Sequence, residues 1–97
     1  MAETLAQARA LPAEQVLAVM RRYARPLDMP LPPPAADEDA VTLADATLRC
    51  VRLRAAVDVI ANDWFVLERA GDETLAIAGP LFAAALAALA RAVAARR

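Results

Sequence analysis

AVTLADATLRCVRLRAAVDVIANDWFVLERAG, residues 40–71, is the stretch on which the reading of this chain turns. Counted from Leu43 in alternating steps of three and four, it presents Leu43, Ala46, Cys50, Leu53, Val57, Ile60, Trp64 and Leu67, every one apolar. That is the 3.5-residue period of a helix with one continuous buried seam. A second apolar stripe, Ala44, Leu48, Val51, Ala55 and Val59, asks for a second packing partner, as in a bundle. Arg49, Arg52 and Arg54 fall between the stripes and read as a solvated face, with Asp45, Asp58 and Asp63 as ion-pair partners. The expectation is a long central helix that ends at Gly71, a suitable residue for the left-handed position after a helix. The end of the stretch also reads as a β-hairpin over residues 64–78: WFVLER and ETLAIAG flank a short turn containing Gly71, and Leu75 and Ile77 alternate. The unbroken seam favours the helix.

Outward from this stretch, the flanks read as support. Upstream, Ala2 to Ala10 is a weak helix or a frayed arm. A better helix starts at Leu11–Pro12, with Val16, Leu17, Met20, Tyr23 and Ala24 on one face, and Pro26 stops it. Residues 26–36 are a Pro-rich linker, expected to be a stiff polyproline spacer. Asp37, Glu38 and Asp39 complement the dipole at the start of the central helix, rather than forming a metal cluster. Downstream, Pro80 opens a C-terminal helix whose seam is Phe82, Leu86, Leu89 and Val93. The fold class expected is therefore mainly α: a single helical domain over residues 1–97, a small bundle with a long central helix and an antiparallel C-terminal helix.

Composition narrows the chemistry. The chain has 97 residues, 60 % hydrophobic and only 4 % aromatic, with eleven basic residues, all Arg, against twelve acidic ones for a net charge of −1. This balance draws it to neither nucleic acid nor an anionic membrane. Histidine, serine and lysine are absent. The sequence thus lacks an imidazole base, a Ser nucleophile, a Schiff-base amine and a phosphate-loop lysine. Cys50 sits in the seam and reads as a small buried hydrophobe. Asp58 with Asp63, and Glu68 with Asp72, are poorly placed as catalytic or metal-binding pairs. An enzyme, a cofactor and a metal site are therefore not expected. The uncharged run from Thr74 to Ala90 contains Gly79–Pro80 and many alanines, and is read as not spanning a membrane. The N-terminus has no secretory pattern, so a cytoplasmic location is expected.

Thr42–Leu43–Ala44 as a helix start and Arg69–Ala70–Gly71–Asp72 as a wing turn loosely resemble the helix–helix–wing order of bacterial winged-helix regulators. That resemblance implies DNA binding as an alternative function. The sequence departs from it in having no Gly, Pro, Asn or Ser between Ala46 and Ala61 to separate two helices. The function expected is instead non-catalytic: an assembly or accessory subunit that binds itself or a larger protein. The candidate interface residues are Trp64, Phe82, Leu86, Ala88, Leu89 and Val93. The last five lie on the C-terminal helix, whose second face, Leu81, Ala84, Ala88 and Ala95, is also uncharged and suits a homo-oligomer.

Overall fold

In the computed structural model, which describes residues 2–31, 33, 39–53 and 62–96, residues 40–53 and 62–78 form strands rather than a helix. The elements in order are helices α1 (Ala2–Ala10) and α2 (Ala13–Tyr23), strands β1 (Arg25–Pro26), β2 (Ala40–Leu43), β3 (Ala46–Leu53), β4 (Asn62–Arg69) and β5 (Leu75–Ala78), and helix α3 (Gly79–Ala95). The strands make one antiparallel sheet in the order β1-β5-β4-β3-β2. The architecture is α+β, which overturns the helical bundle expected above. The hairpin alternative over residues 64–78 is what β4 and β5 form, with Gly71 at φ +84° in the turn. Val57, Ile60, Ala55, Val59, Arg54 and Asp58, all read as part of the central helix, lie outside the described residues, as do Asp37 and Glu38.

Register shows what the heptad count concealed. Val41 pairs with Leu48, Leu43 with Ala46, Leu48 with Leu67, Cys50 with Phe65, and Phe65 with Ile77. Read strand by strand, these residues alternate, and all of them point to one face. That inner face is covered by the helices through Leu5 and Ala8 of α1, Val16, Leu17 and Met20 of α2, and Phe82 and Leu86 of α3. The rings of Phe65 and Phe82 meet at 4.9 Å and join sheet to helix. The β-branched residues Val41, Thr42, Thr47, Val51, Val66 and Ile77 suit this pleated surface better than a helix.

The outer face is apolar as well, because Val51, Val66 and Ala76 are buried there. The chain leaves one edge of the sheet at Pro26 and re-enters at the opposite edge at Ala40. Leu27 and Leu31, on the way, pack with Trp64 onto Val51, Val66 and Ala76. The described part of the Pro-rich segment thus covers the sheet and is not a spacer between two helices; residues 32 and 34–36 of the expected linker lie outside the described residues. Pro26 itself belongs to the edge strand β1, a position that proline tolerates because it has no N–H to donate.

Leu43 and Ala46 close β2 onto β3 through a two-residue turn, Ala44–Asp45. Ala44 has φ 55°, a conformation that crowds its Cβ and that such turns normally assign to glycine. Ala44→Gly is therefore expected to stabilise the fold, by about 0.5–1 kcal/mol after the greater flexibility of unfolded glycine is subtracted. A urea midpoint below that of the wild type would show that the turn does not strain Ala44.

Candidate protein-docking groove

Three local sequence features open a hollow at one end of the sheet. Helix α2 stops at Tyr23 because Ala24 turns extended and Pro26 cannot continue the helix, while the Ala24 N–H still donates to Met20 O at 2.8 Å. Strand β1 is only two residues long, pairing Arg25 with Ala76 and Pro26 with Leu75. Among the described residues, β5 therefore has no outer strand partner at Ile77 and Ala78. Trp64 lies opposite Ala78, whose small side chain leaves the indole flank uncovered. The result is an open cavity of about 370 Å³ whose walls include Tyr23, Leu27, Trp64, Ile77, Ala78 and Leu81.

A second trough, of about 500 Å³, runs between α2 and α3. Its floor is Ala18, Val19, Ala85 and Leu89, with Ala88 beside them, and Arg22 and Arg96 stand at its rim. Tyr23 borders both hollows, and Leu81 lies one helical turn before Ala85. The guanidinium of Arg22 sits 5.4 Å from the Tyr23 ring centre, a cation–π contact. Both hollows are shallow and mostly apolar and have few convergent polar groups. Such surfaces receive protein side chains more readily than a small metabolite, whose site needs placed donors and acceptors.

The third hollow, about 280 Å³ near the β2–β3 and β4–β5 turns, has a different character. Arg69, in its wall, reaches Asp45 at 2.8 Å and Asp72 at 3.6 Å. It thus ties the two turns together. The hydrogen bond from Arg69 lowers the Asp45 pKa from its ordinary value, and the same bond raises that of Arg69. These charges satisfy each other within the chain.

The carboxylates weighed earlier for chemistry are likewise engaged. Asp63 accepts from Arg52 at 3.4 Å, Glu68 from Arg49 at 3.0 Å, and Asp39 from Arg9 at 3.2 Å. Asp39 precedes β2 and so does not open a helix. Arg49, expected on a solvated face, is buried, whereas Arg52 is exposed as expected. Cys50 is half-buried on the inner face. Among the described residues no group of three or more metal-ligating side chains is found, and no helix is long and apolar enough to cross a membrane.

The six interface candidates fall in different places. Phe82 and Leu86 are wholly inside the core of this chain. Leu89 and Val93 are half-buried, with Leu89 packed against the core. Ala88 is exposed beside the α2–α3 trough, and Trp64 is half-buried in the wall of the other hollow. Trp64 thus lines one hollow and Ala88 and Leu89 the other, with Tyr23 bordering both. The structure joins to them Leu81, from the second uncharged face of the C-terminal helix, and Tyr23, an aromatic that could join Trp64 in recognition, and it adds Arg25, which the sequence analysis did not place there.

Among the described residues the helix–helix–wing order is not found, since 40–43 and 46–53, read there as helix, are β2 and β3; residues 54–61 of that reading lie outside the described residues. Sheet and helices together define an α+β protein with helices on one face of an antiparallel sheet. Compared with known proteins, the chain matches no family model, no curated protein and no solved structure.

Proposed function

We propose that the chain is a non-catalytic accessory or assembly module that binds another protein molecule through the surface around Tyr23, Trp64 and Leu81. One observation carries this reading. Of the three large hydrophobic residues exposed among the described residues, Tyr23 (43 %) and Leu81 (48 %) border the same hollow, and Trp64 lines it. Scattered apolar residues on a surface are ordinary, but a cluster around a concavity marks a contact site. Tyr, Trp and Arg are also the residues enriched at the energetic centres of protein interfaces. A single cysteine, Cys50, suits a reducing, cytoplasmic setting.

The test is site-specific photo-crosslinking in extracts of the native cell. A photoreactive amino acid at Leu81 is expected to give a discrete adduct, while the same group at Asp72, exposed in the β4–β5 turn, gives none. Mass spectrometry of the adduct distinguishes a second copy of this chain from a different protein, and either supports the reading. No discrete adduct at Leu81, or equal labelling at both positions, overturns it.

A further inference from the structure

The charge around the groove says what kind of protein segment fits it, given that the surface binds protein at all. Neither hollow has an aspartate or glutamate in its lining, yet Arg22, Arg25 and Arg96 stand along them. None of these three has an ion-pair partner among the described residues, in contrast to Arg9, Arg49, Arg52 and Arg69. A chain of net charge −1 thus gathers uncompensated positive charge along an apolar concavity. The trough lies between two helices, the geometry into which a third helix settles by ridge-and-groove packing. With the hollow at Leu81 beside it, the pair follows α3 from Leu81 to Arg96, about 22 Å or roughly four turns of an opposing helix.

We propose that this groove holds an acidic amphipathic helix of a partner protein. Its apolar stripe lies on Val19, Ala85 and Leu89, a large apolar side chain enters the hollow beside Trp64, and carboxylates on its flanks meet Arg22, Arg25 and Arg96. Among the described residues, a second copy of this chain offers no such helix. Helix α1 carries one acid, Glu3, and α2 carries one, Glu14, each accompanied by arginine, while α3 has none. An anionic membrane would be met better by a convex apolar edge than by a trough. A nucleic acid strand would need stacking platforms along its path, and Tyr23 is the only aromatic residue exposed there.

The experiment measures fluorescence anisotropy of a labelled 16-residue peptide titrated with the full-length protein. The peptide has leucine and phenylalanine at i, i+3, i+4 and i+7 spacing and glutamate elsewhere; a second peptide has lysine in every glutamate position. The glutamate peptide is expected to bind at least roughly ten-fold more tightly than the lysine peptide. The triple variant Arg22→Gln, Arg25→Gln, Arg96→Gln is expected to lose roughly ten-fold, as three rim ion pairs of modest strength would give. All three positions are exposed, so the fold is expected to persist, and far-ultraviolet circular dichroism checks it. Equal affinity for the two peptides overturns the proposal, as does a triple variant that binds like the wild type. So does tighter binding to a single-stranded oligonucleotide or to vesicles containing phosphatidylserine than to the glutamate peptide. A Leu81 crosslink that survives in the triple variant, or one formed to a second copy, leaves the protein-binding reading in place and removes the acidic helix.

Discussion

Phe82→Ala is expected to lower the unfolding free energy by about 3–5 kcal/mol. Phe82 is fully buried, and its ring meets that of Phe65, tilted at 44° with centres 4.9 Å apart, in the central region of the sheet. It is also the first large core residue of α3, which contributes only two large fully buried side chains, Phe82 and Leu86. Truncation removes aromatic surface from the core and leaves a void between two layers that cannot collapse without moving the helix. Domains of this size are stable by about 5–15 kcal/mol, so a large share of the total is at stake. Urea denaturation followed by tryptophan fluorescence measures it through Trp64. The loss is expected to be independent of protein concentration, since Phe82 belongs to the core of one chain. A loss below about 1 kcal/mol, or one that appears only at low protein concentration, would place Phe82 in an interface between chains instead.

The second large effect concerns the ion pair on the outer face. Arg49 donates to Glu68 at 3.0 Å, with the arginine side chain 7 % exposed and the glutamate side chain 40 % exposed. Burying a guanidinium is costly unless a carboxylate compensates it. Glu68 is one partner of this guanidinium, and removing it should hurt more than removing the cation, because Glu68 remains partly hydrated when alone. Glu68→Ala is expected to cost about 2–3 kcal/mol, less than the ~3–5 kcal/mol for a fully buried pair because water reaches one partner. Arg49→Met keeps an unbranched apolar side chain over the sheet and is expected to cost about 1 kcal/mol or less. Chemical denaturation of both variants decides the matter, and the reverse order of losses would refute this account of the pair.

Much of the helical part was legible. Val16, Leu17 and Met20 recur at helical spacing on α2 and are buried, and Pro80 with its apolar stripe marks the start of α3 at the expected place. The middle of the chain was misread for a physical reason. When both faces of a sheet are covered, its strands lose the apolar–polar alternation that distinguishes them from helix. In β3, Ala46, Leu48 and Cys50 face inward while Val51 is buried on the other side. In β4, Phe65 and Leu67 face inward and Trp64 and Val66 outward. A three-and-four count across such residues meets apolar side chains at almost every step, more so in a chain that is 60 % hydrophobic. The turn that would have interrupted the count, Ala44–Asp45, has neither the Asn-Gly nor the Gly-X signature of a hairpin. Only the Gly71 turn had one, and there the hairpin was visible.

The proposed docking surface was legible in parts. Trp64, Ala88 and Leu89 could be singled out because an indole and an alanine-rich helix face have evident uses. Leu81 was read on the second uncharged face of the C-terminal helix and Tyr23 as an aromatic that could join Trp64, but that Arg25 stands beside them could not be read, since their proximity depends on β5 pairing with β1 and on the sheet carrying α2 and α3 side by side. Phe82 and Leu86 belong to the same stripe as Leu89 in the sequence. Their complete burial follows from lying over Phe65, a neighbour the helical reading did not provide.

The placement of the helices on either side of the sheet in the chain order governs how the molecule can fold. The turns between β2 and β3 and between β4 and β5 join neighbours, so those hairpins can form within microseconds on local contacts alone. The inner layer cannot. Leu5 and Ala8 in α1 share one core with Phe82 and Leu86 in α3, and α1 and α3 touch each other. Neither α1 nor α3 has its full set of neighbours until the intervening sheet is assembled and both ends of the segment have returned to it. Closing such distant contacts costs chain entropy before they stabilise anything. The expected folding time accordingly belongs with mixed and β-rich domains, in milliseconds or longer, and not with the microsecond regime of a helical bundle of equal length. In the interval the apolar inner face of the sheet stands open to water and to other chains, which makes the half-built sheet, more than the finished protein, the state most exposed to aggregation.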